Sequence, residues 1–408
     1  MNPYKLKNNI NLYHIKSDNF KTVTVSLNIY RPIDDNASAL SLLGGVLESG
    51  SSKYPSKAHL AKQLEWLYGA SLQTAIMKKE ETQILSVIAS APAEKFTGED
   101  TLKKLSELIY EIVYNPLLEN GAFKPSIVNL EKENIKNLIN SVVNEKRDYA
   151  DKRALEEMCG GQPFAIYKYG TTDGIDALDA ASLTEYYNKI LKESKIDIFV
   201  SAGEDISSVK DVFDKCISNG EIKKAEKSPA KSEMKVVHEN MNVAQGKLVI
   251  GFTIESDDYF GNILFNSVYG SGTHSKLFNN VREKLSLAYY AYSRLTMQKG
   301  VIFASAGIEF DKYDMAKDEI FAQLEAVKNG EVTDSELDNA KKSIINIIKS
   351  LNDNPVSLMD YYTGLIVAGR EVDETKIIDG INAVTKEAVI AAAKTVKPDT
   401  LYFLKGLE

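Results

Sequence analysis

Apolar and polar positions along the chain fall into two kinds of run. "KTVTVSLNIYRP", "TQILSVIASAP", "GKLVIGFTIE" and "GVIFASAGIEF" are short, dense in Val and Ile, and bounded by Gly, Pro or charged residues, which is the pattern of buried strands. "NLEKENIKNLINSVV" and "ELDNAKKSIINIIKSL" space their apolar residues three and four apart over a length that only helices reach. The two kinds recur in the same order on either side of a polar stretch. "KTVTVSLNIYRP" followed by "DDNASALSLLGGVLESGSS" corresponds to "GKLVIGFTIE" followed by "DDYFGNILFNSVYGSGTHS", each a strand, a helix and a glycine turn. "HLAKQLEWLYGASLQTAI" corresponds to "SKLFNNVREKLSLAYYAYS", and both halves close on a helix and a strand, "KIDIFVSAGE" or "DTLYFLKG". The offset drifts from 223 (Asp34 to Asp257) to 203 (Gly203 to Gly406), as insertions in the first copy require. The chain therefore reads as an internal duplication: two homologous α+β domains, each a largely antiparallel sheet covered by helices. The expected boundaries are 1–222 and 237–408, joined by an exposed linker at 223–236 in the Lys-, Glu- and Ser-rich "NGEIKKAEKSPAKSEMK".

Composition narrows the function. With 408 residues and 44% hydrophobic content the chain can bury substantial cores. A net charge of -8 argues against nucleic acid or an anionic membrane as partner. The opening "MNPYKLKNNINLYHIKSDNF" has no signal-type apolar segment and no later run approaches a membrane span, so a cytoplasmic location is expected. Cys159 and Cys216, far apart, are expected to be buried or idle thiols rather than a disulfide. His14, His59, His238 and His274 are scattered without metal-ligand spacing.

Three segments carry a resemblance: "GSGTHSKLFNNVREKLSLAYYAYS", "LEKENIKNLIN" and "YKYGTTDGIDALDAASLTEYYNKI". Together with the duplication they resemble, over essentially the whole chain, the pitrilysin/insulinase-like zinc metallopeptidases with their inverted H-x-x-E-H motif. Within that family the overall pattern is similar to the bacterial group associated with modification of elongation factor P. Aligning Gly50-Ser51-Ser52-Lys53-Tyr54 with the family's glycine turn places Ser41-Leu42-Leu43-Gly44-Gly45 under H-x-x-E-H. In active members the two histidines bind zinc and the glutamate activates the zinc-bound water. Here Ser41 and Gly45 stand at the histidine positions and Gly44 at the glutamate. The third ligand, seven residues beyond a family glutamate resembled by Glu131, falls on Leu138. The resemblance thus implies degenerate metal positions and no cofactor in this chain. Adjacent helical glycines cost about 1 kcal/mol each relative to Ala; they suit either close helix–sheet packing or an accommodating surface near a substrate.

What the chain keeps is Arg282 and Tyr289 in "VREKLSLAY". In the family an Arg/Tyr pair at this spacing binds the substrate backbone near the scissile bond. The guanidinium offers fixed donors to a carbonyl, and the phenol offers one that strengthens as charge develops on oxygen. Taken singly, an arginine paired with an acid on a helix and a tyrosine buried in a core are the commoner readings. With an offset of 217 the first copy carries Glu65 and Leu72 at these positions, so the fold does not itself demand the pair. Tyr290 and Tyr292 lie close by, and a one-residue slip on a strand would exchange their faces with that of Tyr289. "ASLQTAI" resembles the family's edge strand that pairs with extended peptide, making Ser71, Leu72, Gln73, Thr74 and Ala75 candidate pairing positions; "MKKEET" after it reads as a solvated hairpin.

The leading expectation is a zinc-free subunit of a heterodimeric metallopeptidase. It would supply Arg282, Tyr289 and half of a peptide-enclosing chamber to a homologous partner that carries H-x-x-E-H and the zinc. A dimer binding a peptide substrate follows, without nucleic acid or membrane. The alternatives are a peptide-binding pseudo-peptidase with no part in cleavage and a structural subunit.

Overall fold

The computed structural model describes residues 3–407. The chain divides into two compact units, neither of them continuous in sequence. The first holds the chain through Asn140, Ile166–Lys224 and Asn354–Val372; the second holds Ser141–Ala165, Ala225–Asp353 and the chain from Asp373 onward. These limits differ from the continuous spans 1–222 and 237–408, because a segment of each repeat belongs to the unit built by the other. The expected linker differs as well. Residues 214–234 carry no helix or strand, yet the part from Ala225 belongs to the second unit, where Ala225 is buried and Lys231 makes a 2.7 Å ion pair with buried Asp399.

The first unit contains β1 (Tyr4–Lys5), β2 (Asn11–Lys16), β3 (Thr22–Pro32), β4 (Ser71–Lys79), β5 (Thr82–Pro92), a ribbon of β6 (Leu118–Glu119) with β7 (Ala122–Phe123), and β8 (Lys195–Ala202). The main sheet runs β1-β2-β8-β3-β5-β4, with β2 and β8 parallel and all other neighbours antiparallel. Alternation along β3 separates its faces. Val23, Val25, Leu27 and Ile29 join Leu85, Val87, Ile196 and Ile198 in a core closed by helices Ala37–Glu48 and Thr101–Tyr114. The opposite face carries hydroxyls and an amide, also buried. Thr24 and Ser90 bond at 2.8 Å, and the Ser26 and Ser86 hydroxyls both donate to Asn28 Oδ1. Asn28 Nδ2 donates to Thr363 of helix Pro355–Val367, whose Val367 packs with Tyr30 and Ile84.

The second unit contains β9 (Lys235–Asn240), β10 (Gly246–Ile254), β11 (Ala288–Thr296), β12 (Val301–Ile308) and β13 (Val396–Lys405), in the order β11-β12-β10-β13-β9. Reading β9, β13, β10, β12 and β11 for β2, β8, β3, β5 and β4 reproduces the first sheet, including its single parallel pair, here β9 with β13. Topology thus bears out the duplication and the two-domain α+β fold. One face of this sheet packs against helices such as Tyr259–Tyr269 and Tyr313–Lys328. On the other lies helix Lys146–Cys159, whose Ala150, Ala154 and Met158 meet Val249, Phe303 and Tyr402. Its polar side chains fasten it. Asp151 accepts from Tyr292 and Ser305, each at 2.7 Å, and Glu239 of β9 accepts from Tyr149, Arg153 and Tyr402.

Cys159 and Cys216 are free and buried, and burial pushes both thiols up, Cys216 to about 12. No helix among the described residues is long and apolar enough to cross a membrane.

One close approach ties helix Tyr259–Tyr269 to the edge strand. Gly270 caps the helix and its carbonyl accepts the Ser293 N–H at 2.9 Å, while a Cβ at position 270 would stand 2.6 Å from Ser293 N. Backbone cannot yield as a flexible side chain can. Gly270→Ala is expected to destabilise the second unit by about 1–3 kcal/mol, read from urea unfolding; an unchanged midpoint would mean that β11 shifts freely.

Candidate functional site

Helix Ala37–Glu48 is buried along almost its whole length, with apolar residues on most of its circumference and no acidic residue in its first turn. Ser41 Oγ shares its one proton between Ala37 O at 2.9 Å and Lys168 O at 3.0 Å and accepts from Gln83 Nε2 at 3.3 Å. The hydroxyl is spent on joining this helix to the neighbouring loop. At Gly44 a Cβ would meet Leu85 and Ile76 at 3.2 and 3.4 Å, and the Gly44 carbonyl accepts from Thr74 Oγ1. This glycine serves close packing of helix on sheet.

Gly45 has a different neighbour. A Cβ there would come within 3.0 Å of Glu131 Oε2. Glu131, on helix Pro125–Ser141, is buried, and its carboxylate accepts from Ser49 Oγ (3.1 Å), Asn134 Nδ2 (2.9 Å) and Lys57 Nζ (3.0 Å). A carboxylate with these partners fills the space into which a side chain at 45 would project. Leu138, the expected third-ligand position seven residues on, is exposed, and the residue of this helix that stands against Gly45 is Glu131 instead. A hydroxyl already bonded, two glycines and an aliphatic side chain offer no donor set for zinc, so the implied ligand positions do not fit the metal.

The four histidines are each held elsewhere. His14 bonds to Ala202 O, His59 to Ser56, His238 to Tyr313, and His274 to Ser267; burial lowers the pKa of His274. No cluster of three or more His, Cys, Asp or Glu suited to a metal occurs among the described residues.

Ser71, Leu72, Gln73, Thr74 and Ala75 lie on β4, at the edge of the first sheet. The edge is not wholly open. Thr74 N–H donates to Glu48 Oε2 at 2.9 Å, and Thr74 Oγ1 bonds to the same oxygen. A peptide added to this edge would have to displace Glu48 at that position. The turn after β4 is half-buried rather than solvated, for Lys79 pairs with Asp360 and Lys78 with Ile166 O, both at 2.8 Å.

Arg282 and Tyr289 belong to the second unit. Arg282 sits on Leu277–Lys284, a π-helix that packs against β11. Such wide turns cost hydrogen-bond geometry and recur at functional sites. Its guanidinium lies 4.6 Å from the Phe278 ring centroid and 3.6 Å from Glu283. Tyr289 owes its position to a bulge. Ala288 pairs with Ile308 and Tyr290 with Gly307, leaving Tyr289 as the extra residue on β11. It is 61% exposed, which removes it from the core, and its hydroxyl donates to Glu309 at 3.3 Å. Beyond the bulge, strand alternation sets Tyr290 and Tyr292 side by side on one face, ring centroids 5.8 Å apart. Tyr292 is anchored on Asp151.

Sequence comparison agrees with this arrangement of a kept fold around an emptied site. Over 405 residues the chain is 33% identical to the "Probable inactive metalloprotease YmfF" of Bacillus subtilis (strain 168), covering 97% of this chain and 95% of that protein. The chain belongs to the peptidase M16 family. The model of the "Peptidase M16 inactive domain" matches residues 177–344. Among solved structures, a conserved protein from Enterococcus faecalis V583 superposes with a TM-score of 0.90 at 26% identity, covering 100% of this chain and 98% of that one. The peptidase M16 inactive domain from Pseudomonas fluorescens shares the fold with a TM-score of 0.77 at 18% identity, covering 100% and 98%.

This M16 chain, dialysed against metal-free buffer, is expected to retain no stoichiometric zinc in elemental analysis. Restoring Ser41→His, Gly44→Glu, Gly45→His and Leu138→Glu together should yield only weak uptake, because the imidazole at 45 must compete with Glu131 for space and no shell of partners orients the new ligands. One tightly held zinc in the unaltered chain would overturn this account.

Proposed function

We propose that this chain is the zinc-free subunit of a two-chain peptidase, working in the cytoplasm beside a homologous partner that carries H-x-x-E-H and the metal. Its part is to present Arg282 and Tyr289 to the peptide held at the partner's zinc, and to wall half of the chamber around it. The supporting observation is the bulge that turns Tyr289 outward. A strand tyrosine serving only the core would not need an extra residue to bring it to 61% exposure. Its hydroxyl can donate to a carbonyl oxygen as that oxygen gains negative charge, with the guanidinium as a second donor. The ligand positions, by contrast, have been given over to packing. One observation favours the alternative of a structural pseudo-peptidase: Glu48 already occupies the Thr74 N–H on the edge that an extended peptide would use.

The test starts with native co-purification of a second chain of similar size bearing H-x-x-E-H. In that complex Tyr289→Phe and Arg282→Ala should lower turnover at saturating peptide by about 10²–10³ while assembly and melting temperature stay unchanged. Full activity in both variants would remove the pair from the site, and a complex without peptidase activity would favour the structural reading.

A further inference from the structure

A cross-strand row of the second sheet holds a charge that the fold does not require. Tyr290 pairs with Gly307, and Gly307 with Lys247. The Asp34-to-Asp257 offset places Lys247 over Thr24 of the first sheet, where the corresponding row is Ser71, Ser90 and Thr24. There every side chain is small and uncharged, and Thr24 and Ser90 satisfy one another. In the second sheet Gly307 leaves a trough between its neighbours. The Tyr290 ring lies across it, with Cε1 only 2.4 Å from where a Cβ would stand.

Two cations flank that ring. Lys247 Nζ lies 5.6 Å from its centroid and Arg147 Cζ 5.9 Å, with Arg147 also 5.9 Å from the Tyr292 ring. Lys247 is half-buried, and its Nζ donates to the neutral Gln245 Oε1 at 2.5 Å. Among the described residues it meets no carboxylate. Burial, and then the charge of Arg147, hold its pKa below the ordinary lysine value. The nearby acids leave Lys247 unpaired, although Arg147 Nε donates to Asp148. Asp151 is engaged by Tyr292 and Ser305, and the contact of Arg147 with exposed Asp148 is 3.4 Å long. Arg147 also stands in the first turn of helix Lys146–Cys159, which has no side-chain cap and carries Asp148 in the same turn. A half-buried ammonium with no carboxylate against it and a guanidinium across the same ring is costly unless an anion joins it.

We propose that Arg147, Lys247 and the Tyr290 hydroxyl form a subsite for a carboxylate carried by a bound peptide. The group is the peptide's C-terminus or an acidic side chain; the chemistry is the same. The inference rests on the peptide-binding reading above for its ligand but uses neither Arg282 nor Tyr289. The guanidinium gives paired donors, the ammonium a point charge, and the phenol a neutral donor, each suited to one carboxylate oxygen.

The purified full-length chain is titrated with a fluorescein-labelled unstructured decapeptide, as the free acid and as the C-terminal amide, each with and without one glutamate. Fluorescence anisotropy gives the affinities. Lys247→Gln and Arg147→Gln should each weaken carboxylate-bearing peptides about tenfold or more, leave peptides without a carboxylate unchanged, and keep the melting temperature; Lys247→Arg should restore most of the affinity. Whether the loss follows the C-terminus or the glutamate names the source. Peptide binding that ignores both the carboxylate and Lys247→Gln overturns the subsite while leaving the peptide-binding reading intact. If no peptide binds, that reading fails, and acetate is titrated while the Lys247 side-chain NMR signal is followed. A saturable shift beyond that of chloride at equal ionic strength, lost in Arg147→Gln, supports the subsite, and its absence overturns it. Equal response to inorganic phosphate would overturn the carboxylate assignment.

Discussion

A sheet has two faces, and each must be hidden from water or made polar. In this chain the faces are treated differently, and the rest of the architecture follows from how the second one is closed. The first face of each sheet is apolar and takes the helices of its own repeat. The second is lined by hydroxyls, tyrosines and an amide or lysine, and a single helix from the other repeat lies on it. That helix is held by directed bonds, Asn28 to Thr363 in one unit and Tyr292 and Ser305 to Asp151 in the other. Directed bonds between buried groups tolerate little displacement, because a partner lost there is not replaced by water.

The same economy explains how a peptidase fold persists without its chemistry. The positions that would hold zinc are now structural. Ser41 joins a helix to a loop, Gly44 lets the helix lie close on the sheet, and Glu131 fills the space beside Gly45 with a carboxylate bonded to three donors. A metal site could not return by replacing ligands alone, since the surroundings have settled around their absence. The second repeat gathers charge and aromatic surface on β11 and its neighbours.

Much of this was legible in the chain. Strand and helix periodicity and the matched order of the two halves led to the duplicated α+β fold, because burial imposes the same alternation wherever a sheet is covered. That Ser41, Gly44 and Gly45 offer no imidazole or carboxylate is read directly from the chain, while their place under the metal motif came from the resemblance. Three things were not legible. Periodicity says which residues are buried but not by what, so the exchange of helices Lys146–Cys159 and Pro355–Val367 between units left no local mark. The bulge at Tyr289 is a matter of register, and "AYYAY" reads the same with or without an extra residue. Glu131 and Glu48 act across long sequence separations; an acid within an amphipathic helix gives no sign that it will be buried against a glycine or spent on a strand's backbone. The clue nearest to hand was Glu131 among the apolar positions of its own helix.

The exchange of helices has a consequence for how such a chain could arise and be divided. A gene encoding one repeat would make a sheet with one face bare, and such a product would be driven to pair with a second copy that lends the missing helix. Joining two such copies in one polypeptide would give the exchanged segments seen here. Scission at the polar segment between the repeats would therefore not release two domains. It would leave two fragments bound to one another, each still wearing a piece of its neighbour.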